Sequence, residues 1–364
     1  MRLREGGSRR IAAVIGVALC VGSAAWTLPR CSAQEGALSE TAIGACPLPE
    51  PCLETPVGWS LFWQDPRGGG YRDSRRQCFQ HRSLAPTWYV MAEYVPLFRD
   101  ESDALPAVPL VDGGTLVLDT SEFDPEFAHG ARLLVGLSLG DWYRLEVSSL
   151  GYHSWSDSVA LATETEFAGM DFSSDMDTIE LNLRRRLCVS RNRYVLGEAS
   201  ATVGVRYLRI DENLDYLARL ETGDAATITS EAAVDVENDL FGVQLGGLIQ
   251  VLVEDRAWVD FEIKGGIYAN SADVAATYAV TPGEEASFAG EEDRTAFVGD
   301  LSLTLNYQFA PAWTFRAGYN SIWVTGVALA SQNISADASL PLTNVDHSGR
   351  IVYHGPSIGL VWAR

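Results

Sequence analysis

The sequence predicts an all-β protein: a closed, antiparallel, up-and-down transmembrane β-barrel of about ten strands, with twelve as the alternative count. Three observations carry that expectation. Apolar and polar residues alternate from Trp88 onward, the period of strands with one apolar and one polar face. The connections between these strands alternate between short and long, as in barrels with short periplasmic turns and long extracellular loops. Beyond the N-terminal segment, no apolar run approaches the roughly 18 to 20 residues that a membrane helix needs.

The clearest strand runs from Thr295 to Phe309, with Phe297, Leu301, Leu303, Leu305 and Tyr307 on one face and Asp300, Ser302, Thr304, Asn306 and Gln308 on the other. A second follows after Ala310-Pro311, with Trp313, Phe315, Ala317 and Tyr319 alternating with Thr314, Arg316, Gly318 and Asn320. Two strands joined so tightly form an antiparallel hairpin. The same reading recovers Phe241 to Val253, Trp258 to Tyr268, residues 88 to 98, 131 to 139, 142 to 152, 177 to 187, 197 to 209, and about 352 to 363.

Gly140-Asp141, residues 188 to 196, Glu254 to Ala257 and Ala310-Pro311 are the short connections. Residues 99 to 130, 153 to 176, 210 to 237, 269 to 293 and 327 to 351 are the long ones, and they hold 29 of the 48 acidic residues. Basic residues gather instead at Arg184-Arg185-Arg186, Arg191 and Arg193, and at Arg67, Arg72, Arg75, Arg76 and Arg82. Both basic groups fall on the expected periplasmic side. A net charge of −21 argues against a nucleic-acid partner, whose phosphates need a basic surface.

The start of the chain reads as an export signal over residues 1–33: Arg2, Arg4, Arg9 and Arg10, an apolar run, then Cys31-Ser32-Ala33 as a small-residue cleavage site. Residues 34–87, rich in proline and glycine and containing Cys46, Cys52 and Cys78, form a periplasmic extension, and residues 88–364 form the barrel. Cys188 sits at a short turn on the same expected side. In an oxidising envelope these cysteines read as disulfides, Cys46 with Cys52 and Cys78 with Cys188.

Trp88, Tyr143, Tyr307, Phe309, Trp313 and Trp362 point outward at the periplasmic end and form an aromatic girdle. The inward positions form a mixed-charge set: Glu93, Arg132, Arg144, Glu146, Glu180, Arg184, Arg186, Glu198, Arg206, Asp260, Glu262, Lys264, Asp300 and Arg316. Such a set is either a selectivity lining for a solute path or a network of ion pairs that fills the lumen, as interiors near eight strands are filled by side chains.

Three stretches carry a family resemblance: Trp88-Tyr89-Val90-Met91-Ala92-Glu93-Tyr94, Asn238 to Gly246, and Tyr353-His354-Gly355-Pro356-Ser357-Ile358-Gly359-Leu360. Over roughly residues 86 to 363 the chain resembles the seventh of the putative beta-barrel porin families. The resemblance implies an outer-membrane barrel and a transport role, and brings no catalytic residues. The chain ends Trp362-Ala363-Arg364, so recognition by the barrel-assembly machinery would rest on Trp362.

The expected function is therefore an outer-membrane barrel, either a narrow channel for small polar solutes or a structural and surface-interaction barrel with a filled lumen. A rim hydrolase is a minor alternative, hinted at by Asp346-His347, and a soluble secreted β-protein is a rival class. Divalent cations at acidic groups such as Asp171, Asp175 and Asp177, or Asp211, Glu212 and Asp215, are candidate partners besides outer-membrane lipid. Nothing in the sequence calls for a cofactor.

Overall fold

The computed structural model describes residues 87–101, 126–191, 196–222, 226–254, 256–281, 283, 285–334 and 344–364, with a short ladder at 108–109 and 117–118. The expected leader, the extension with Cys46, Cys52 and Cys78, and the side chain of Cys188 lie outside the described residues. In chain order the strands are β1 (Trp88–Tyr94), β2 (Phe98–Glu101), β3 (Val108–Pro109), β4 (Val117–Leu118), β5 (Ala131–Leu139), β6 (Tyr143–Ala162) and β7 (Glu166–Arg191). They continue with β8 (Leu196–Thr222), β9 (Ala226–Glu254), β10 (Ala257–Thr281), β11 (Glu285–Ala310), β12 (Trp313–Val327) and β13 (Gly349–Ala363).

Each long strand pairs antiparallel with its sequence neighbour, from β5 to β13. The ring closes because β13 also pairs with β1, from Tyr89↔Ala363 to Tyr94↔Ile358. Farther up β13, Ile351 to His354 pair with Glu101 to Phe98, so β2 continues β1 along the same neighbour. Eleven strand segments thus make ten positions around the ring. The short turns fall after β5, β7, β9 and β11, all at the end that carries Trp88, and Gly140 supplies the left-handed backbone (φ 74°) that the first of them needs.

Three of the expected long loops are corrected. Apart from the turns, the described residues of 153–176, 210–237 and 269–293 are strand: β6 pairs with β7 up to Ala162↔Phe167, β8 with β9 up to Thr222↔Ala226, and β10 with β11 up to Ala279↔Glu285. The 29 residues of β9 far exceed the 9 to 11 that cross a membrane. The physical reason is an inversion of hydrophobic phase. On the lower part of β8, Val203 and Val205 face outward, whereas above Arg209 the apolar residues Ile210, Leu214, Tyr216 and Ala218 face inward and Asp211, Asn213 and Asp215 face out. β9 and β10 invert likewise: Val243, Leu245, Ile263 and Ile267 are exposed below, and Val234, Val236, Val274 and Tyr278 are buried above. The lower storey meets lipid, and the upper storey is built like a water-soluble barrel around its own core.

Where the phase inverts, carboxylates align across neighbouring strands. Asp175, Asp211, Glu237, Asp273 and Glu291 occupy one register row on β7 to β11. Partial burial raises the Asp215 carboxyl above the ordinary carboxylate range, with Asp235 and Asp171 adding to the effect. Glu237 is raised by partial burial too, opposed by Arg209 and reinforced by Asp211, Asp239 and Asp273. A raised carboxyl binds its proton more tightly in the folded state, so these two groups make the upper hairpins more stable as pH falls from neutral toward the ordinary carboxylate range near about 4. Amide hydrogen exchange across residues 210–237, corrected for intrinsic rate, should show greater protection at pH 5 than at pH 7.5, and Asp235→Asn should shrink the difference.

Candidate functional site: the barrel lumen

Alternation sends every second side chain of each stave into the lumen. The charged ones meet in groups that link several staves, and some groups draw on strands far apart in sequence. Nearest the short turns, Glu198 receives Arg144 at 3.1 Å and Arg186 at 3.0 Å. Arg184 donates to Glu146 through two nitrogens at 3.0 and 3.1 Å and to Glu262 at 2.8 Å, while the Tyr89 hydroxyl donates to Glu146 at 2.6 Å. Tyr89 reaches across the wall because Gly136 leaves room: a Cβ there would lie 2.2 Å from the phenol ring.

Glu93 is bracketed by Arg132 and Arg316, each at 3.1 Å. Glu180 holds Arg206 and Lys264, the latter at 2.8 Å, and accepts the amides of Asn182 at 2.8 Å and Gln244 at 2.9 Å. Arg206 turns its charge toward Asp300 as well, at 2.7 Å. Asp260 is hydrogen-bonded by Gln250 at 2.8 Å and Asn306 at 2.9 Å, with Arg316 acting on it electrostatically.

Above this charged storey the lumen is mainly apolar. Val95, Leu97, Leu150, Trp155, Met176, Leu208, Ile210, Leu240, Tyr268, Val298, Ile322 and Tyr353 form one buried cluster contributed by staves all around the ring. Its largest members are sealed from solvent, Trp155 at 1% and Tyr353 at 0% exposure. Its member Trp155 and the adjacent His153 tie the wall together at the gap between β1 and β2: the Trp155 indole N–H donates to the Leu97 carbonyl at 3.0 Å, and His153 Nε2 lies 2.8 Å from the Val95 carbonyl.

A second apolar cluster fills the upper storey, with Met170, Phe172, Leu214, Tyr216, Val234, Val236, Val274 and Tyr278. The segment after β12 folds into it. Ala328 exchanges two bonds with the Asn238 side chain, at 2.8 and 2.9 Å, and the Ala330 amide donates to Glu212 at 2.9 Å. Glu212 is fully buried against Arg99, whose guanidinium lies 4.9 Å over Phe172. Loop and wall are thereby locked together inside the barrel.

These placements correct some sequence expectations and add residues that were missed. Glu212 faces the lumen, so it does not join Asp211 and Asp215, which face outward. Among the described residues no group of three or more His, Cys, Asp and Glu side chains gathers closely enough to hold a metal ion. His347 is buried, 3.3 Å from Glu292, and does not open onto an external rim. Tyr89, Asn182, Gln244, Gln250 and Asn306 belong to the polar network although attention to charge alone passed over them; their inward register was the available signal. Arg99 and Glu212 were hidden inside stretches read as loops.

On the outer surface, Tyr143, Tyr307, Phe309 and Trp313 are exposed near the short turns. Trp88 packs edge-on against Trp362 at 4.7 Å, and Trp313 lies 6.5 Å from Trp362. A closed ring of ten staves, with an apolar outer band, aromatic residues at its lower edge and a polar interior, defines an outer-membrane β-barrel. The chain belongs to the family described as Putative beta barrel porin-7, whose model matches residues 158–348. No curated protein matches it. Among solved structures it is similar to the outer membrane protease OmpT from Escherichia coli, with TM-score 0.48 and 10% identity over 78% of this chain and 99% of that one. It is similar also to the translocator domain of the autotransporter NalP from Neisseria meningitidis, with TM-score 0.33 and 10% identity over 76% and 88%. A third is the CymD monoaromatic hydrocarbon channel, with TM-score 0.27 and 8% identity over 77% and 89%. At such distances none of their activities transfers to this chain.

Buried ion pairs add little net stability but are costly to break from one side, about 3 to 5 kcal/mol. Glu180→Ala should therefore lower unfolding stability toward the bottom of that range, because Lys264 loses its carboxylate while Arg206 keeps Asp300. Urea titration of the barrel in bilayers, read by tryptophan fluorescence, measures it. The exposed Glu231→Ala should move the midpoint far less, within about 0.5 kcal/mol.

Proposed function

We propose that this outer-membrane barrel is sealed, and that it serves the envelope as a structural and surface-interaction element rather than as an open pore. The observation that carries the reading is the apolar layer across the lumen, where Trp155, Met176, Leu208, Ile210, Leu240, Tyr268 and Tyr353 are each at most 1% exposed. An ion crossing that layer would shed its hydration with few polar groups to replace it, and those at its upper edge, Asn238 and Asn270, are engaged with the backbone of Ala328 and Gly326. The charged residues below support the same reading. A selectivity lining keeps charges available to solutes, whereas here Glu93, Glu146, Glu180 and Glu198 are buried and occupied by arginine or lysine. A ring of ten is also close to the size that side chains fill.

The sealed interior leaves function to the outside: the acidic rows and upper hairpins stand clear of the lipid and present a rigid surface to the medium. The family name favours the competing reading, a narrow channel for small polar solutes. Purified protein in planar bilayers decides between them. A sealed barrel gives no stepwise conductance above the lipid baseline at moderate voltage and salt. Reproducible unitary steps from the folded, heat-modifiable form would establish the channel instead.

A further inference from the structure

The barrel's exterior differs from one side to the other. On β7 to β11 the apolar band gives way upward to carboxylates, as described above. On the side formed by β12, β13, β1, β2 and the segment 126–130, the upper end of the band carries a continuous array of rings instead. The ten residue steps from Trp88 to Phe98 rise about 25 Å along the axis for extended backbone tilted by about 40°, which is the height of the lipid-facing band. The array therefore stands at the outer membrane boundary.

Its members touch in sequence. The Tyr94 hydroxyl bonds His129 Nδ1; His129 stands edge-on to Phe127 at 5.2 Å, and Phe127 to Phe98 at 5.8 Å. Phe98 stacks on His354 at 5.7 Å, and the Tyr319 hydroxyl lies 2.6 Å from His354 Nδ1. His354 Nε2 is held 2.9 Å from Asp100, a carboxylate whose side chain is 66% exposed. Tyr94, Phe98, Phe127 and Tyr319 each expose about two fifths or more of their surface. Beside the array, a bulge in β6 holds Tyr152 at φ 68° and turns it outward, 84% exposed. A bulky residue in that conformation is strained, and such strain persists only where surrounding structure enforces it.

We propose that this array is a docking surface for the saccharide headgroup of an outer-leaflet glycolipid, with the acyl chains lying on the apolar strip beneath it. Aromatic faces carry partial negative charge, which suits the C–H face of a pyranose. Asp100 accepts hydrogen bonds from sugar hydroxyls, and the imidazoles are held in place by Tyr94, Tyr319 and Asp100. Continuity with the membrane face selects a membrane-resident ligand over a soluble one: Leu133, Val135, Ile358 and Leu360, all exposed, run directly down from the array. The proposal rests on the outer-membrane location and is independent of whether the lumen conducts.

Native mass spectrometry of the full-length protein released from micelles tests it with three probes: a rough-type lipopolysaccharide, a phosphatidylethanolamine, and the deacylated core oligosaccharide. The glycolipid should be retained about tenfold better than the phospholipid, and Phe98→Ala together with Phe127→Ala should abolish that preference. Heat-modifiable gel migration checks that the variant barrel has assembled. Asp100→Asn, an exposed and conservative change, should reduce the preference severalfold, and it keeps the test open if the double variant fails to fold. Equal retention of the phospholipid, or an unchanged preference in the Asp100 variant, would overturn the proposal. Equally tight binding of the oligosaccharide alone would overturn the membrane-resident ligand.

Discussion

Lipid offers no partner to a backbone N–H or C=O, and every other feature of this barrel follows from how the chain meets that constraint. A sheet in hydrocarbon must close on itself, and here β13 returns to β1 after ten staves. Closure at that number fixes a lumen narrow enough for side chains to fill. Side chains buried together there must have their polar groups satisfied by one another. Glu180 illustrates the result, with two cations and two amides converging on one carboxylate from β7, β8, β9 and β10.

The same closure continues above the membrane, where the constraint changes sign. Outside the lipid the wall faces water, so apolar residues move to the inner face and carboxylates to the outer one. The crossover lies near Arg209 on β8 and near Asp239 on β9. It produces a barrel with two kinds of interior: a paired-charge storey at membrane depth, and an apolar core above it that takes in the segment following β12. Arg99 and Glu212 lie within that upper core, where they tie β2 and β8 to the segment following β12.

How much of this could be read from residues alone depended on which phase a segment obeyed. β5 was legible to the residue because Leu133, Val135, Leu137 and Leu139 alternate outward along its whole length. The lower halves of β8 to β11 were legible for the same reason, as was the outward position of the lower aromatic residues. The upper halves were not. Reading Ile210, Leu214 and Tyr216 as a continuation of Val203 and Val205 requires a shift of phase by one, which pattern matching treats as the end of a strand. Dense acid residues in those segments then made them look like loops. The inward charges could be enumerated from alternation, but their pairing could not, since Arg184 meets Glu262 across 78 positions of sequence and only the curvature of the closed ring brings them together. The ring array of Tyr94, Phe127 and His354 was equally hidden, because its members come from separate segments joined by the closure.

The apolar layer is the feature on which a sealed lumen stands or falls, and chemical access to it can be measured directly. Leu208→Cys places a thiol within that layer, and Asp211→Cys places one on the outer wall just above the band. In the folded barrel, a small charged methanethiosulfonate applied from either side should label the Asp211 variant quickly and leave the Leu208 variant unmodified until the protein is unfolded, with peptide mapping to separate these thiols from the native cysteines. Labelling at position 208 in the folded state at a rate near that at position 211 would mean that water and charge reach the layer, and the barrel would then be an open path.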